Sequence, residues 1–140
     1  MSRTNRSMPQ GTIIPVLCYP DVNAAAEWLC VVFGFRERLC IGDHRAQLSI
    51  GETDSIVVAQ GQGDYPVTGW ATHSIMLRIA DVDVHHRHTV ACAARVVSDP
   101  VTYPYGERQY TVMDLGGHVW TFSQTLADVD PVSWGGSLVE

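Results

Sequence analysis

Two stretches of this chain repeat one another, and that duplication limits the possible folds more than any other feature of the sequence. Residues 16–23 read VLCYPDVN and residues 76–83 read MLRIADVD, so leucine, aspartate and valine recur at a constant offset of 60. Residues 45–60 and 108–124 also resemble each other, with an offset that grows by one at the turn. A degenerate tandem repeat of this kind predicts two copies of one supersecondary unit.

Both halves show the same order of patterns, namely a strand, a helix opened by an aspartate, and three further strands. Asp21 and Asn23 are N-cap candidates for the first helix, and Asp81 or Asp83 caps the second. Gly34 ends the first helix, whereas the second has Ala93-Ala94 at the corresponding end. Either the second helix ends without a left-handed residue, or glycine at position 93 or 94 would stabilise the chain. The predicted strands cover residues 13–19, 35–41, 45–50, 55–60, 73–80, 96–100, 108–113 and 118–123.

Residues 105–124 predict a closing β-hairpin. Asp114 and the glycines that follow it supply turn chemistry, and alternation places Trp120 and Phe122 on one face of the last strand. The run Tyr-Gly-x-Arg, then Asp-x-x-Gly-His-x-Trp-x-Phe, resembles the closing hairpin of the vicinal-oxygen-chelate superfamily. That superfamily includes glyoxalase I, extradiol dioxygenases, fosfomycin-resistance enzymes and bleomycin-resistance proteins.

The resemblance covers residues 12–124 and implies an α+β fold. Two tandem βαβββ modules would form curled mixed sheets around a cavity. We predict a disordered N-terminus (residues 1–10), a first module (11–60), a linker (61–72), a second module (73–124) and a C-terminal tail (125–140).

Composition and charge exclude several classes of partner. The chain has 140 residues, of which 46% are hydrophobic, and a net charge of −6 without a basic cluster beyond its first six residues. Such a charge balance argues against nucleic acid as a partner. No apolar run reaches the length of a membrane span, and the first residues do not resemble a signal peptide. We expect a cytoplasmic protein with neither nucleic-acid nor membrane partners.

The positions that bind metal in the superfamily carry unsuitable side chains here. Metal-using members contribute one cavity ligand from the first strand and one from the last strand of each module. On this sequence the four positions are Ile14, Val57, Ser74 and Thr121. Two lack a donor atom and two offer only neutral hydroxyls, whereas Zn²⁺, Fe²⁺ and Mn²⁺ prefer imidazole or carboxylate. We therefore expect no metal and no other cofactor.

The resemblance and strand alternation together predict an apolar cavity face with a few neutral polar groups and Arg78 as its one fixed charge. Loop aromatics could stack on a flat organic ligand, or could only hold their own loops in place. The predicted ligand-binding residues are Gln47, Val57, Trp70, Ser74, Met76, Arg78, Tyr103, Tyr105, Tyr110 and Thr121.

Three other groups of residues are interpreted as structural. His85-His86-x-His88 looks like a metal cluster, but the repeat places it on a partly solvated helix face. Glu107 and Arg108 are interpreted as an ion pair at a strand end. The cysteines form no CxxC or Cys/His zinc pattern and are predicted to be buried thiols, namely Cys18, Cys30, Cys40 and Cys92.

The main hypothesis is a metal-free small-molecule binding protein, closest in kind to the bleomycin-resistance proteins and sequestering a drug or metabolite. Catalytic residues are not identified. The alternative is an enzyme of the same superfamily, a metal-dependent or cofactor-free lyase, isomerase or dioxygenase. A structural dimer module with an empty cavity is the third reading. We expect a homodimer, since each module leaves sheet edges that need a partner.

Overall fold

The computed structural model describes residues 4–61 and 73–138. The chain divides into two compact units, Met1–Pro66 and Val67–Glu140. Each unit contains one βαβββ module with a four-stranded mixed sheet, and neither sheet closes on itself. The predicted α+β fold of two tandem modules is confirmed.

The first module contains β1 (Val16–Tyr19), α1 (Val22–Phe33), β2 (Arg36–Ile41), β3 (Arg45–Ile50) and β4 (Asp54–Gln60). Its sheet has the order β1-β4-β3-β2, with β1 parallel to β4 and the other pairs antiparallel. Asp21 caps α1 by accepting a hydrogen bond from the Ala24 N–H at 3.0 Å. Alternate strand residues pack against α1 and form a buried core, which includes Leu17, Tyr19, Leu29, Leu48, Ile56 and Val58.

Residues 6–9 of the N-terminal segment lie against the first sheet. Pro9 is buried, and the side chain of Gln47 in β3 donates a hydrogen bond to the Ser7 carbonyl at 2.8 Å. Arg38 donates to the Arg6 carbonyl at 2.6 Å and also to the Gln47 side-chain oxygen. Side chains of the sheet therefore hold a segment that has no hydrophobic periodicity of its own.

The second module contains β5 (Ile75–Arg78), α2 (Val82–Ala91), β6 (Arg95–Thr102), β7 (Glu107–Met113) and β8 (Val119–Thr125), followed by a 3₁₀ turn (Pro131–Trp134). Its sheet has the order β5-β8-β7-β6. Met76 pairs with Thr121 where Val16 pairs with Val57 in the first module, so the duplication extends to strand register.

The hairpin between β7 and β8 is organised by one buried carboxylate. Asp114 Oδ1 accepts hydrogen bonds from the N–H groups of Gly116 and His118, both at 2.9 Å. Asp114 Oδ2 accepts from Trp120 Nε1 at 2.9 Å. Trp120 and Phe122 are completely buried, and Phe122 contacts the His85 ring of α2. The predicted face of Trp120 and Phe122 is therefore the face against the helix.

Two local predictions in the second module are wrong. The strand predicted to stop at Pro100 continues to Thr102, because β6 is an edge strand in which a proline need not donate to a neighbour. Its pairing with β7 shifts register on both sides of Ser98. Arg108 does not pair with Glu107 but makes a two-pronged contact with Asp83 of α2, with nitrogen–oxygen distances of 3.0–3.2 Å.

The two helices end differently although their sequences are duplicates. Gly34 follows α1 with a φ of 82°, and Ala93 follows α2 with a φ of 59°. The Ala94 N–H donates to the Thr89 carbonyl and the Ala93 N–H to the Val90 carbonyl, both at 3.0 Å. These bonds form a complete Schellman motif around a left-handed alanine. Of the two alternatives left open by the sequence, the structure selects a left-handed residue at position 93.

Replacing Ala93 by glycine is therefore expected to stabilise the protein. Relief of the left-handed strain, about 1–2 kcal/mol, exceeds the added entropy of an unfolded glycine, about 0.4–1 kcal/mol. We expect urea denaturation to show a net gain of about 0.5–1 kcal/mol. Ala91→Gly, two residues earlier within α2, is the matched control and should destabilise by up to about 1 kcal/mol. Equal losses in both variants would contradict this account.

Candidate functional site

One face of the second sheet carries a connected row of polar side chains, which we call the polar face. Gln109 Nε2 donates to Ser123 Oγ at 3.0 Å, and Ser123 Oγ donates to Glu107 Oε1 at 2.7 Å. On the same face, the hydroxyls of Thr111 and Thr121 lie 3.0 Å apart. All five residues project from β7 and β8 on the side opposite α2, because strand side chains alternate.

Two charged side chains flank this row. Glu107 has a lowered pKa, first because Ser123 donates a hydrogen bond to it, and further because Thr125 and the charge of Arg78 favour its ionised form. Arg78 is exposed and pairs in register with Ser123. The expectation that Arg78 is the one fixed charge of this face is wrong, since Glu107 shares the face and offsets the Arg78 charge.

An aromatic cluster adjoins the polar face. The rings of Tyr103 and Tyr105 are stacked, with centroids 5.3 Å apart and planes 7° from parallel. Trp134 of the 3₁₀ turn lies 5.4 Å from Tyr105, centroid to centroid. The Tyr105 hydroxyl donates to Gln109 Oε1 at 3.3 Å, which links the cluster to the polar row. Burial raises the pKa of Tyr105, assisted by Tyr103 and Glu107, so its hydroxyl keeps the proton that it donates.

Tyr110 does not belong to this face, and its prediction as a ligand-binding residue is corrected. Its hydroxyl donates to Thr89 Oγ1 at 3.2 Å and contacts His85 Nδ1, so the ring faces α2. Burial raises the pKa of Tyr110 to about 12. The error follows from the repeat, whose alignment slips by one residue in this hairpin. A shift of one residue moves a strand side chain to the opposite face of its sheet.

The corresponding face of the first sheet carries both apolar and polar side chains. Val57 is buried and pairs with Val16 on one side and Gln47 on the other. The Gln47 side-chain amide already donates a hydrogen bond to the Ser7 carbonyl of the N-terminal segment. Ser55 is buried as well, and its hydroxyl has no hydrogen-bond partner among the described residues. The faces of the two modules therefore differ in chemistry although their strand register is the same.

The remaining predicted residues are distributed as follows. Met76 and Arg78 are exposed on β5, an edge strand of the second sheet. Ser74 is exposed just before that strand. Trp70 lies outside the described residues. Glu107, Gln109, Thr111 and Trp134 were not among the predicted site residues. Pairing Thr111 with Thr121 and then counting back in steps of two along β7 would have found Gln109 and Glu107.

The four superfamily metal positions do not fit a metal in this chain. Ile14 and Val57 have no donor atom, and the Thr121 hydroxyl is already bonded to Thr111. Within residues 4–61 and 73–138, no group of three or more histidine, cysteine, aspartate or glutamate side chains is arranged to hold a metal ion. We derive no chemistry through a metal at these positions.

Comparison with known proteins supports the architecture. The model of the Glyoxalase/Bleomycin resistance protein/Dioxygenase superfamily matches residues 13–122. None of the proteins with curated functions matches at a significant level. Neither α1 nor α2, the helices of the described ranges, is long and apolar enough to cross a membrane.

Solved structures give the same result. TioX from Micromonospora sp. ML1 is 33% identical, with a TM-score of 0.70, and the match covers 83% of this chain and 99% of TioX. The genomically encoded fosfomycin resistance protein FosX from Listeria monocytogenes is 17% identical with a TM-score of 0.67, over 84% of this chain and 94% of FosX. Lactoylglutathione lyase from Agrobacterium tumefaciens is 16% identical with a TM-score of 0.61, over 83% and 94%.

FosX and the lactoylglutathione lyase, which are 17% and 16% identical, show only that the fold is shared. The superfamily match and the TioX match each extend over most of the chain and over both βαβββ modules. The chain therefore belongs to the glyoxalase/bleomycin-resistance/dioxygenase superfamily.

Proposed function

We propose that the protein binds a small organic molecule with a flat aromatic part, on the polar face and aromatic cluster of the second module, without a metal. The observation that carries the proposal is the stacked pair Tyr103–Tyr105, joined to Gln109 by a hydrogen bond. Partly exposed aromatic rings beside fixed polar groups are typical of sites that stack a planar ligand and orient it by hydrogen bonds.

The charges of the site constrain the ligand. Glu107 and Arg78 are of opposite sign, so a neutral or zwitterionic molecule matches the face better than a strongly charged one. Neutral amide and hydroxyl groups on Gln109, Thr111 and Thr121 can exchange their mutual bonds for bonds to a ligand. Ser123 and Glu107 form a hydroxyl–carboxylate pair on the polar face, but the lowered pKa of Glu107 makes its carboxylate a weak base. This favours binding and sequestration of a drug or metabolite over catalysis.

Binding can be tested with tag-free protein and a panel of planar aromatic compounds, including aromatic antibiotics, monitored by tryptophan fluorescence. Tyr105→Ala is expected to weaken any binder by about 0.5–1.5 kcal/mol, the value of an aromatic pair beyond its buried area. That loss corresponds to an about twofold to tenfold higher Kd. Tyr110→Phe is the control, because Tyr110 faces α2 and should leave Kd unchanged. Unchanged affinity in Tyr105→Ala would contradict the proposed site.

The same assay separates binding from the enzymatic alternative. A sequestering protein should return its ligand chemically unchanged, and added Zn²⁺, Mn²⁺ or Ni²⁺ should not alter the Kd. Ligand turnover seen by mass spectrometry, or affinity that depends on a stoichiometric metal, would support a lyase, isomerase or dioxygenase instead. All four cysteines are free thiols, which is consistent with action in the reducing cytoplasm.

Self-association into a homodimer is also part of the proposal. β1 is a sheet edge, and Val16 on it is 49% exposed, which leaves an apolar strand available for pairing. We expect light scattering to give the mass of two chains across a micromolar dilution series. Val16→Lys should shift the equilibrium toward monomer, since a lysine on an edge strand opposes pairing. Val31→Lys, on the exposed side of α1, is the control and should remain dimeric. A wild-type monomer at high concentration would exclude the homodimer.

A further inference from the structure

The C-terminal end of α2 places a histidine and a cysteine on one helix face. His88 and Cys92 are four residues apart, a spacing that makes side chains neighbours on a helix. The Cys92 N–H donates to the His88 carbonyl at 3.0 Å, and Cys92 Sγ lies 3.6 Å from His88 Nε2. His88 is exposed and Cys92 is partly exposed, so the pair lies at the surface of α2.

The separation of these two atoms matches that of two ligands on one tetrahedral metal ion. Zinc binds thiolate sulfur at about 2.3 Å and imidazole nitrogen at about 2.0–2.1 Å, which places the sulfur and the nitrogen about 3.5 Å apart. The sulfur–nitrogen distance in the chain is 3.6 Å. A cation could therefore be bound by both side chains without a change in the backbone.

The local backbone fixes this arrangement. Cys92 is the last residue before the left-handed Ala93, and the Schellman bond from the Ala94 N–H to the Thr89 carbonyl closes the helix end. A closed helix end restricts fraying of the final turn, which carries both donor residues. Preorganised ligands lose less conformational entropy when they bind a metal.

The neighbouring histidines lie beside other groups and not beside Cys92. His85 contacts the Tyr110 hydroxyl, and His86 Nε2 lies 3.4 Å from Asp99 Oδ1. The histidine run in the sequence is therefore not one cluster. Its last member instead faces a cysteine that the sequence analysis interpreted as a buried thiol. The informative spacing was His-x-x-x-Cys, which is a two-ligand pattern on a helix.

We propose that His88 and Cys92 form a binding site for one thiophilic divalent cation such as Zn²⁺. Cys92 binds as thiolate and His88 through Nε2, and the thiol proton passes to solvent without any redox change. Water, or the same pair from a second copy of the chain, completes the coordination. This site is independent of the ligand proposed for the polar face.

Cobalt(II) is a suitable probe, because a cobalt–thiolate bond gives a near-ultraviolet charge-transfer band that zinc displaces. Tag-free protein, kept reduced with a phosphine, is titrated with Co²⁺ and then with Zn²⁺. We expect the band to appear at saturation and to disappear on addition of zinc. A stoichiometry of one cobalt per chain would support His88 and Cys92 as the ligands. One cobalt per two chains, with a matching rise in mass, would support the same pair from two copies of the chain. Absence of the band overturns the proposal.

Two variants and two matched controls identify the ligands. Cys92→Ser should abolish the charge-transfer band, and His88→Ala should weaken cobalt binding by about tenfold or more, at least the effect of losing an outer-shell partner. Cys40→Ser and His44→Ala remove an exposed thiol and an exposed imidazole from the first module. These two variants should change neither the charge-transfer band nor the affinity for cobalt. Circular dichroism verifies that each variant is folded. A band that survives in Cys92→Ser overturns the assignment.

Discussion

Asp114→Ala is expected to lower the free energy of unfolding by about 3–5 kcal/mol, because one buried carboxylate satisfies three donors. Each hydrogen bond to a charged group is worth about 1.5–3 kcal/mol, and such contributions overlap within one network. Alanine would leave the buried Trp120 Nε1–H without its acceptor. Loss of two further acceptor contacts would release the turn that sets the register of β7 and β8.

A graded series tests this explanation by urea denaturation. Asp114→Asn keeps one oxygen for the Gly116 and His118 N–H groups but turns an amide donor toward Trp120, so we expect an intermediate loss of about 1–3 kcal/mol. Asp128→Ala removes an exposed carboxylate from the tail and should stay within about 0.5 kcal/mol of the wild type. If the alanine and asparagine variants at position 114 lose equal stability, the bonds from the Gly116 and His118 N–H groups contribute little, and the three-donor explanation is wrong.

Gly106→Ala is expected to have an effect of similar size for a different reason. Gly106 has a φ of +87°, and an added Cβ would lie 2.4 Å from the Ala127 carbonyl oxygen and 2.9 Å from Val129 Cγ2. The tail cannot simply move away, because the Leu126 N–H donates to the Gly106 carbonyl at 2.8 Å. Left-handed strain of about 1–2 kcal/mol and overpacking of about 1–3 kcal/mol predict a total loss of about 2–5 kcal/mol.

Gly51→Ala separates the two causes. Gly51 also has a positive φ, +60°, but nothing lies within 4 Å of an added Cβ. This control should therefore lose only the backbone component, about 1–2 kcal/mol. Fluorescence of Trp134 provides a second readout, since displacement of the tail at Gly106 would separate that ring from Tyr105. Equal losses at both positions would show that contact with the tail is unimportant.

Features of the fold that depend on nearby residues could be predicted from the sequence, whereas features that depend on contacts between distant residues could not. The duplicated pattern and the turn residues predicted two βαβββ modules, a polar cap at the start of each helix and the face of Trp120 and Phe122, because these depend on local spacing. The face of Tyr110 was wrong, since a one-residue slip in the repeat inverts a strand. The bonds to the Arg6 and Ser7 carbonyls were not predicted because the donors, Arg38 and Gln47, are distant in sequence.

The candidate site was predicted less completely than the fold. Tyr105 and Thr121 were found by resemblance and alternation, but Trp134 reaches Tyr105 through a tail without periodicity. Glu107 was assigned to an ion pair with Arg108 because the two are adjacent, whereas successive strand residues point to opposite faces. Arg108 therefore reaches Asp83, and Glu107 joins Ser123. The partners of Arg108 and Glu107 were therefore set by contacts with residues distant in sequence.

The bonds between the N-terminal segment and β3 have a practical consequence for the way the protein is prepared. Gln47 is 6% exposed, and trimming the chain before residue 10 would remove the Ser7 carbonyl to which its amide donates. Arg38 would lose its contact with the Arg6 carbonyl at the same time. A buried amide left unpaired costs about 1–3 kcal/mol, so shortened versions for crystallisation should retain residues 5–9. Purification handles belong at the other end of the chain, beyond the 3₁₀ turn.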